Sequence, residues 1–203
     1  RQVRYSTKHG GAIDLVLFVN GIPVATLELK TDFTQSISDA VNQYCKDRDP
    51  AGEPLLTPIS GALVHFAVSD SEVRMTTRLA GSKTRFLPFN LGSGGGAGNP
   101  ANPNGHRTAY LWERVWQRDA WLDIRARFVH VEQTAPGKKA KATKQPGAVI
   151  FPRFHQWHAV RALEAHAREH GAGQQYLVQH SAGSGKSNTI AWLAHRLSSL
   201  HST

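Results

Sequence analysis

Three charged residues near the start of the chain have types and spacing that suit metal-dependent hydrolysis. Asp14 precedes the apolar run Leu-Val-Leu-Phe-Val, and Glu28 and Lys30 stand two positions apart in the next β-rich segment, hence on one face of a strand. Mg²⁺ is usually held by one or two carboxylates, with water and substrate phosphate as its other ligands. The pattern therefore predicts Asp14 and Glu28 as Mg²⁺ ligands, and Lys30 as the group that orients water or neutralises the transition state of phosphodiester hydrolysis.

The register of the two strands decides whether these side chains meet. Asn20-Gly21 predicts a tight turn between them. Regular pairing around a two-residue loop sets Asp14 opposite Leu27 and gives no site, whereas an odd connection, for instance a G1 bulge at Gly21, brings Asp14 to within about 5 Å of Glu28 at Cβ. We predict the odd register. The alternative is an amphipathic edge hairpin with a solvated aspartate and a surface Glu-Lys pair.

A second constellation near the end of the chain suits phosphate binding. Residues 175–180 predict a short strand, a glycine-containing loop follows, and residues 188–200 have apolar positions at helical spacing. Strand, loop and helix in this order form the context of a P-loop, in which backbone N–H groups surround the phosphates, the lysine reaches them and the serine ligates Mg²⁺. The residues predicted to contact ATP in this way are Gly183, Ser184, Gly185, Lys186 and Ser187.

A helix predicted to open at residues 151–160 carries Gln156, whose amide could read an adenine. Its place some thirty residues before the loop resembles the adenine-reading segment of superfamily 2 helicases.

The segments between the two constellations predict a mixed sheet with a helix packed on it. Thr34 or Ser36 can cap a helix whose apolar stripe includes Ile37 and Tyr44. The nearly continuous apolar run 61–68 is typical of a central strand, with His65 as a core histidine. Shorter strands are predicted at the two segments that follow, residues 73–79 and 85–90.

Composition limits the partner and the compartment. The chain has 203 residues, a formal charge of +9 and a single cysteine, Cys45. The charge favours a polyanionic partner such as nucleic acid, and the lone cysteine excludes a disulfide framework and a thiolate metal site. We expect a cytoplasmic protein without a membrane-spanning segment.

Two segments are predicted to lack regular structure. Residues 92–105 carry no charge and little apolar surface, which favours a flexible loop over a glycine cradle for phosphate. The lysine-rich residues 133–147 indicate a solvated linker, with DNA contact as the alternative. The tryptophans from Trp112 to Trp121 are expected in a core or at a domain junction rather than stacked on bases.

Taken together, six segments resemble the restriction subunit (R, or HsdR) of type I restriction enzymes. They are Glu28-Leu-Lys-Thr-Asp-Phe-Thr-Gln-Ser, Gly61-Ala-Leu-Val-His-Phe-Ala-Val, Phe86-Leu-Pro-Phe-Asn, Tyr110-Leu-Trp-Glu, Phe154-His-Gln and Gln179-His-Ser-Ala-Gly-Ser-Gly-Lys-Ser. The resemblance implies an α/β fold with a PD-(D/E)xK, restriction-endonuclease-like core at residues 1–130, a basic linker at 131–147, and the first β-α unit of a RecA-like motor at 148–203. It also implies Asp14, Glu28 and Lys30 as nuclease residues, and Gln156 with residues 183–187 as ATP contacts.

The same resemblance implies an ATP-dependent type I site-specific deoxyribonuclease that acts on double-stranded DNA with methyltransferase and specificity subunits. In that family a Gln and a Tyr on the helix after the lysine stand four residues apart, whereas here Gln43 and Tyr44 are adjacent. No acidic residue follows Glu169, so the acidic motor motif is missing, and we expect a fragment that does not hydrolyse ATP alone. The alternatives are a DNA-repair helicase-nuclease and a degenerate module that only docks DNA or partner subunits.

Overall fold

A five-stranded mixed sheet organises the chain in the computed structural model, which describes residues 2–132 and 147–200. The strand order is β3-β4-β5-β6-β7, in which only β4 and β5 pair in parallel. Its strands are β3 (Leu15–Val19), β4 (Ile22–Leu29), β5 (Val64–Val68), β6 (Val73–Thr76) and β7 (Leu87–Pro88). The predicted mixed sheet is confirmed, and β5 is its central strand, buried at all five positions.

Two small antiparallel pairs and four α-helices surround this sheet. The pairs join β1 (Val3–Arg4) with β2 (Ala12–Ile13), and β8 (His130–Glu132) with β9 (Ala148–Ile150). The helices are α1 (Ile37–Asp47), α2 (Arg118–Arg127), α3 (Phe154–His170) and α4 (Lys186–Leu197), and a π-helical turn spans Leu111–Val115. None of the described helices is long and apolar enough to cross a membrane.

The β3-β4 hairpin adopts the predicted odd register by an unexpected route. Asn20 and Gly21 both have positive φ, 50° and 79°, as a two-residue hairpin loop requires, and Val19 pairs with Ile22. The extra residue is Val24, which has no partner because the pairing shifts between Leu17 and Phe18. The bulge therefore lies inside β4 rather than in the turn, and the position opposite Glu28 falls to Asp14.

Helix α1 covers one face of the sheet. Asp39 accepts hydrogen bonds from the Ser36 backbone N–H at 2.7 Å and from the Ser36 hydroxyl at 2.9 Å, which fixes the start of the helix at the second of the two predicted caps. Ile37, Ala40 and Tyr44 are buried on the strand side, as their spacing predicts. This packing places the last turn of α1 over the end of β4.

The opposite face of the sheet packs into one core that includes the end of the chain. Phe66 and Phe89 of the sheet region contact Phe151, and Phe89 contacts Phe154, with ring centroids 6.0 to 6.3 Å apart. Arg196 of α4 donates to Asp123 of α2 at 2.8 Å and also pairs with Glu164 of α3. Phe151 and Phe154 thus pack against the sheet, whereas α4 contacts α2 and α3. Most of the predicted linker, residues 133–146, lies outside the described residues.

The predicted strand at residues 175–180 is wrong. No regular structure forms there, and Leu177 is 93% exposed. A strand needs a neighbour to accept its backbone hydrogen bonds, and none of the described strands lies beside this segment. The predicted strand at 85–90 is likewise reduced to Leu87–Pro88.

Candidate functional site

The two predicted carboxylates lie at neighbouring positions of the β3-β4 hairpin, Glu28 in β4 and Asp14 just before β3. Asp14 directly precedes β3, and because Leu15 pairs with Leu27, Asp14 stands opposite Glu28. The Asp14 carboxylate accepts a hydrogen bond from the Leu29 backbone N–H at 2.8 Å, which holds it at the edge of β4. The structure therefore brings Asp14 and Glu28 together.

Glu28 is a fully buried acid with one oxygen satisfied and one not. Its Oε1 accepts a hydrogen bond from Arg48 Nε at 2.7 Å. Its Oε2 is buried and has no hydrogen-bond partner among the described residues. Burial raises the pKa of the Glu28 carboxyl to about 7, with a smaller contribution from Asp14, while Arg48 acts in the opposite direction. A cation at Oε2 would satisfy the free oxygen and offset part of this cost.

Arg48 is the functional residue that sequence reasoning missed. It follows the last turn of α1 and also donates to the Ala12 carbonyl at 2.8 Å, while its guanidinium lies 5.4 Å from the centroid of the Tyr5 ring. A signal was present, because a helix of this length packed back on β4 must end near Glu28, and a buried acid requires a positive partner. Arg48 therefore holds Glu28 in a fixed orientation.

The neighbouring polar side chains on the face of the sheet that carries Glu28 hydrogen-bond to one another. The Tyr44 hydroxyl lies 2.8 Å from Thr26 Oγ1, which lies 2.7 Å from His65 Nδ1. Burial lowers the pKa of His65 to about 4, so the ring is neutral at physiological pH. The prediction that His65 is a core histidine bonded to a neighbour is confirmed. Tyr44 packs beneath the site, so its hydroxyl supports the strand.

Lys30 lies one residue past the end of β4, two positions beyond Glu28 and on the same face of the extended chain. Its backbone N–H donates to the Val68 carbonyl at 2.9 Å, which extends the parallel pairing past the end of the strand. The side chain is half-buried and has no ion-pair partner within 4.0 Å in the part of the chain that the structure describes. Hydrogen bonds from Ser36, and more weakly the charge of Lys30, lower the pKa of the Asp39 carboxyl at the start of α1, and Lys30 is not among the groups that shift the pKa of Glu28. A role of the Lys30 ammonium at the acidic site stays a prediction.

The segment after Lys30 is fixed by a residue that the sequence did not indicate. Asp70 accepts hydrogen bonds from Thr31 Oγ1 at 3.0 Å and from the Asp32 backbone N–H at 3.1 Å. Its other oxygen lies 3.1 Å from His106 Nδ1. These contacts restrain the backbone from which Lys30 projects.

The ligand set at Asp14 and Glu28 suits Mg²⁺ better than a structural metal. Within residues 2–132 and 147–200 there is no group of three or more His, Cys, Asp or Glu side chains that could hold an ion. A metal here would have the two carboxylates as its protein ligands, and water and substrate phosphate as the others. Mg²⁺ commonly binds in this way, whereas closed zinc sites need four protein ligands.

The raised pKa of Glu28 predicts a pH dependence of metal binding. Below about pH 7 the carboxyl is protonated and must lose its proton to bind a cation. We expect Mn²⁺ affinity, measured by calorimetry, to fall about tenfold for each pH unit below 7 and to level off above it. An ordinary carboxyl pKa would give constant affinity from pH 5.5 to 8, and that result would contradict the assignment.

The loop that is predicted to bind phosphate lies directly before α4, and no strand precedes it. Gly183 and Gly185 have positive φ, 72° and 82°, as a tight loop requires. Lys186 Nζ donates to the His180 and Ser181 carbonyls at 3.0 and 2.9 Å and so spans the loop. The chain thus places Lys186 and Ser187 at the start of α4, where a phosphate would meet backbone N–H groups.

Gln156 lies beneath this loop. Its amide nitrogen donates to the Gly185 carbonyl at 2.8 Å, and its amide oxygen accepts from the Arg153 backbone N–H at 2.8 Å. It is 3% exposed. An adenine contact by Gln156 stays a prediction, and in this conformation both polar ends of the amide are engaged within the chain.

Comparison with known proteins gives two related findings. Residues 1–84 match the sequence model of the family described as type I restriction enzyme R protein N terminus. A Methanocaldococcus jannaschii protein, named as the candidate endonuclease subunit of the type I restriction enzyme MjaVIIIP, is 25% identical over 196 residues. That similarity covers 89% of this chain and 16% of the relative, so the chain spans about a sixth of the relative's length.

No solved structure matches the chain. The part of the chain that contains Asp14, Glu28, Lys30 and Arg48 is the part that the family model covers. The N-terminal region is therefore similar to the N-terminus of type I restriction enzyme R proteins.

Proposed function

We propose that the chain is part of the restriction subunit of a type I restriction enzyme, a Mg²⁺-dependent endonuclease of double-stranded DNA coupled to ATP-driven translocation. The observation that carries the proposal is Glu28 Oε2, a buried carboxylate oxygen without a partner, on the strand position opposite Asp14. The similarity of residues 1–84 to R protein N-termini supports the restriction role over a DNA-repair helicase-nuclease.

Each side chain has a distinct role in this proposal. Asp14 and Glu28 would hold Mg²⁺, which when bound polarises the scissile phosphate and lowers the pKa of a bound water. Arg48 fixes the Glu28 carboxylate so that Oε2 is presented and Oε1 is not. Lys30, with no ion-pair partner among the described residues, neutralises charge that develops on the phosphate in the transition state.

Other features of the chain support the proposed DNA substrate, nucleotide and partner subunits. A charge of +9 favours the DNA backbone, through release of its counterions. The loop at residues 183–187 would bind the phosphates of ATP as the opening of a RecA-like motor. The methyltransferase and specificity subunits of a type I complex are the proposed protein partners, as the resemblance to type I restriction subunits implies.

A second candidate function is a degenerate nuclease fold that docks DNA or partner subunits. The Arg48–Glu28 pair favours it, because the arginine already neutralises the glutamate without a metal. The unpartnered Oε2 and the Asp14 carboxylate argue against it, since a docking module has no need to keep two acids together.

Metal dependence separates the two functions. The full-length protein, assembled with its partner subunits and supplied with ATP, is expected to nick supercoiled DNA with Mg²⁺ or Mn²⁺ and to lose this activity on chelation. Ca²⁺ would serve as the control, because it prefers more oxygen ligands at longer distances than this two-carboxylate site offers. Absence of nicking with every metal, together with intact DNA binding, would favour the docking module.

A further inference from the structure

A cavity of about 630 Å³ lies between three segments that are distant in sequence. One wall is the glycine-rich loop, defined here as residues 92–98. The second wall is the start of α3, from Arg153 to Ala159, and the third is the approach to the phosphate loop, from Gln179 to Ser184. The glycine-rich loop follows β7 of the sheet, and Ser184 is the one residue of the predicted ATP-binding loop 183–187 that lines the cavity.

Three residues that line the cavity each carry a buried side-chain atom with no hydrogen-bond partner in the described parts of the chain. The atoms are Arg153 Nε, His180 Nδ1 and Ser184 Oγ. Ser184 itself is 4% exposed. Such atoms are rare in folded proteins. Because each has almost no accessible surface, a ligand in the cavity would reach them only after a rearrangement of these side chains.

The charge of the walls selects an anion. The lining residues include Arg153, His155, His158 and His180 and no Asp or Glu. Burial, and then the charge of Arg85, lowers the pKa of the Arg153 guanidinium. Burial likewise lowers the pKa of His155. A bound anion would stabilise the charged form of both groups.

The glycine-rich loop has a shape that leaves room for a ligand. Gly94, Gly95 and Gly98 have positive φ, and a Cβ added to any of them would meet no atom within 4 Å. Gly92 donates to the Gly98 carbonyl at 2.8 Å, which closes the loop at its base. Its backbone is therefore held in place and exposed on the cavity side, so that a ligand can approach closely.

The base of the loop is tied to the sheet by two asparagines. Asn99 accepts from the Leu91 backbone N–H at 2.8 Å and donates to Asn90 Oδ1 at 3.0 Å. Asn90 Oδ1 in turn accepts from the Val73 backbone N–H of β6 at 2.8 Å. A change in the conformation of the loop would therefore be transmitted to β6, which pairs with the central strand β5.

We propose that the glycine-rich loop is the wall of the ATP pocket opposite the P-loop, so that a bound nucleotide is held between the sheet that carries the acidic site and α4. The inference rests on the proposed nucleotide binding at residues 183–187. The phosphates lie at Ser184 to Lys186, and the ribose and base lie against His155, His158 and the exposed glycine backbone. Binding of a nucleotide to the loop thereby affects the conformation of β6 and β7.

Amide hydrogen exchange on the full-length protein tests this placement. ADP and a non-hydrolysable ATP analogue are expected to slow exchange at least about tenfold at residues 92–98 as well as at residues 181–187. Protection of 181–187 alone would overturn the inference and leave the proposed function intact. Protection of neither segment, with no binding of a fluorescent ADP, would remove both.

A pair of glycine variants gives a second test. Gly95→Val should weaken binding of fluorescent ADP at least about fivefold, because the branched side chain fills the space that the ligand would use. Gly21→Val is the matched control, since Gly21 has a similar positive φ and open surroundings but lies in the β3-β4 turn. Equal ADP affinity in the Gly95 variant and the wild type would contradict the assignment.

Discussion

Replacement of Lys30 by alanine is expected to lower the nicking rate at least about a hundredfold without weakening Mn²⁺ binding. The ammonium group has no ion-pair partner among the described residues, so its removal disturbs no folded contact of that kind. Its role in the proposed reaction is confined to the transition state, and a loss of this kind reduces the turnover number rather than the affinity for DNA. Nicking of supercoiled plasmid under single-turnover conditions measures it.

Lys46→Ala is the matched control for the Lys30 variant. Lys46 is an exposed lysine in the last turn of α1, a short distance along the chain from the same site. Its removal takes away the same charge and should leave the nicking rate nearly unchanged. Normal nicking by Lys30→Ala would show that Lys30 has no part in the chemistry, and the nuclease proposal would fail.

Replacement of Arg48 by methionine is expected to lower the free energy of unfolding by about 3 kcal/mol at pH 8, because it leaves the Glu28 carboxylate buried without a counter-charge. The loss should be smaller at pH 5. The pKa of Glu28 is about 7 with Arg48 present, so at pH 5 the carboxyl is neutral and the arginine stabilises no charge. Denaturant titrations at the two pH values measure the difference.

The double variant Arg48→Met, Glu28→Gln completes a thermodynamic cycle with the two single variants. Because the glutamine carries no charge, it should restore most of the stability at pH 8. Arg118→Met is the control for a surface pair, since Arg118 and Asp119 are 89% and 92% exposed. That variant should retain wild-type stability. An equal loss at both pH values in Arg48→Met would show that the arginine acts through packing alone.

The sequence predicts those parts of the site that depend on local pattern. Glu28 and Lys30 share a face because strand side chains alternate, and the apolar stripe of α1 follows from helical spacing. The buried central strand follows from its continuous apolar run. The odd register was also predictable, because only that register makes a site of Asp14 and Glu28.

The parts that the sequence does not predict depend on tertiary contacts. The bulge at Val24 compensates for a two-residue turn, and either bulge position gives the same parity. Arg48 reaches Glu28 only because α1 folds back over β4. The glycine-rich loop lines a cavity with Arg153 because Phe151 and Phe154 pack against the sheet, and composition alone predicts only a flexible loop.

The failed strand prediction at residues 175–180 has a similar origin. Its apolar residues have β-rich composition, but a strand is stabilised by its neighbours, and the described strands lie elsewhere. The glycine-containing loop at residues 181–185 and helix α4 form without it, because glycine geometry and helical periodicity are local properties. The RecA-like assignment of this segment therefore stays a proposal.

The position of a bound Mn²⁺ ion decides whether Asp14 and Glu28 share a metal. Crystals of the protein grown at pH 8 with Mn²⁺ are expected to show an anomalous peak about 2.2 Å from a carboxylate oxygen of Asp14 and from Glu28 Oε2, with Arg48 still bonded to Oε1. Absence of a peak between these two carboxylates at a saturating Mn²⁺ concentration would contradict the proposed metal site.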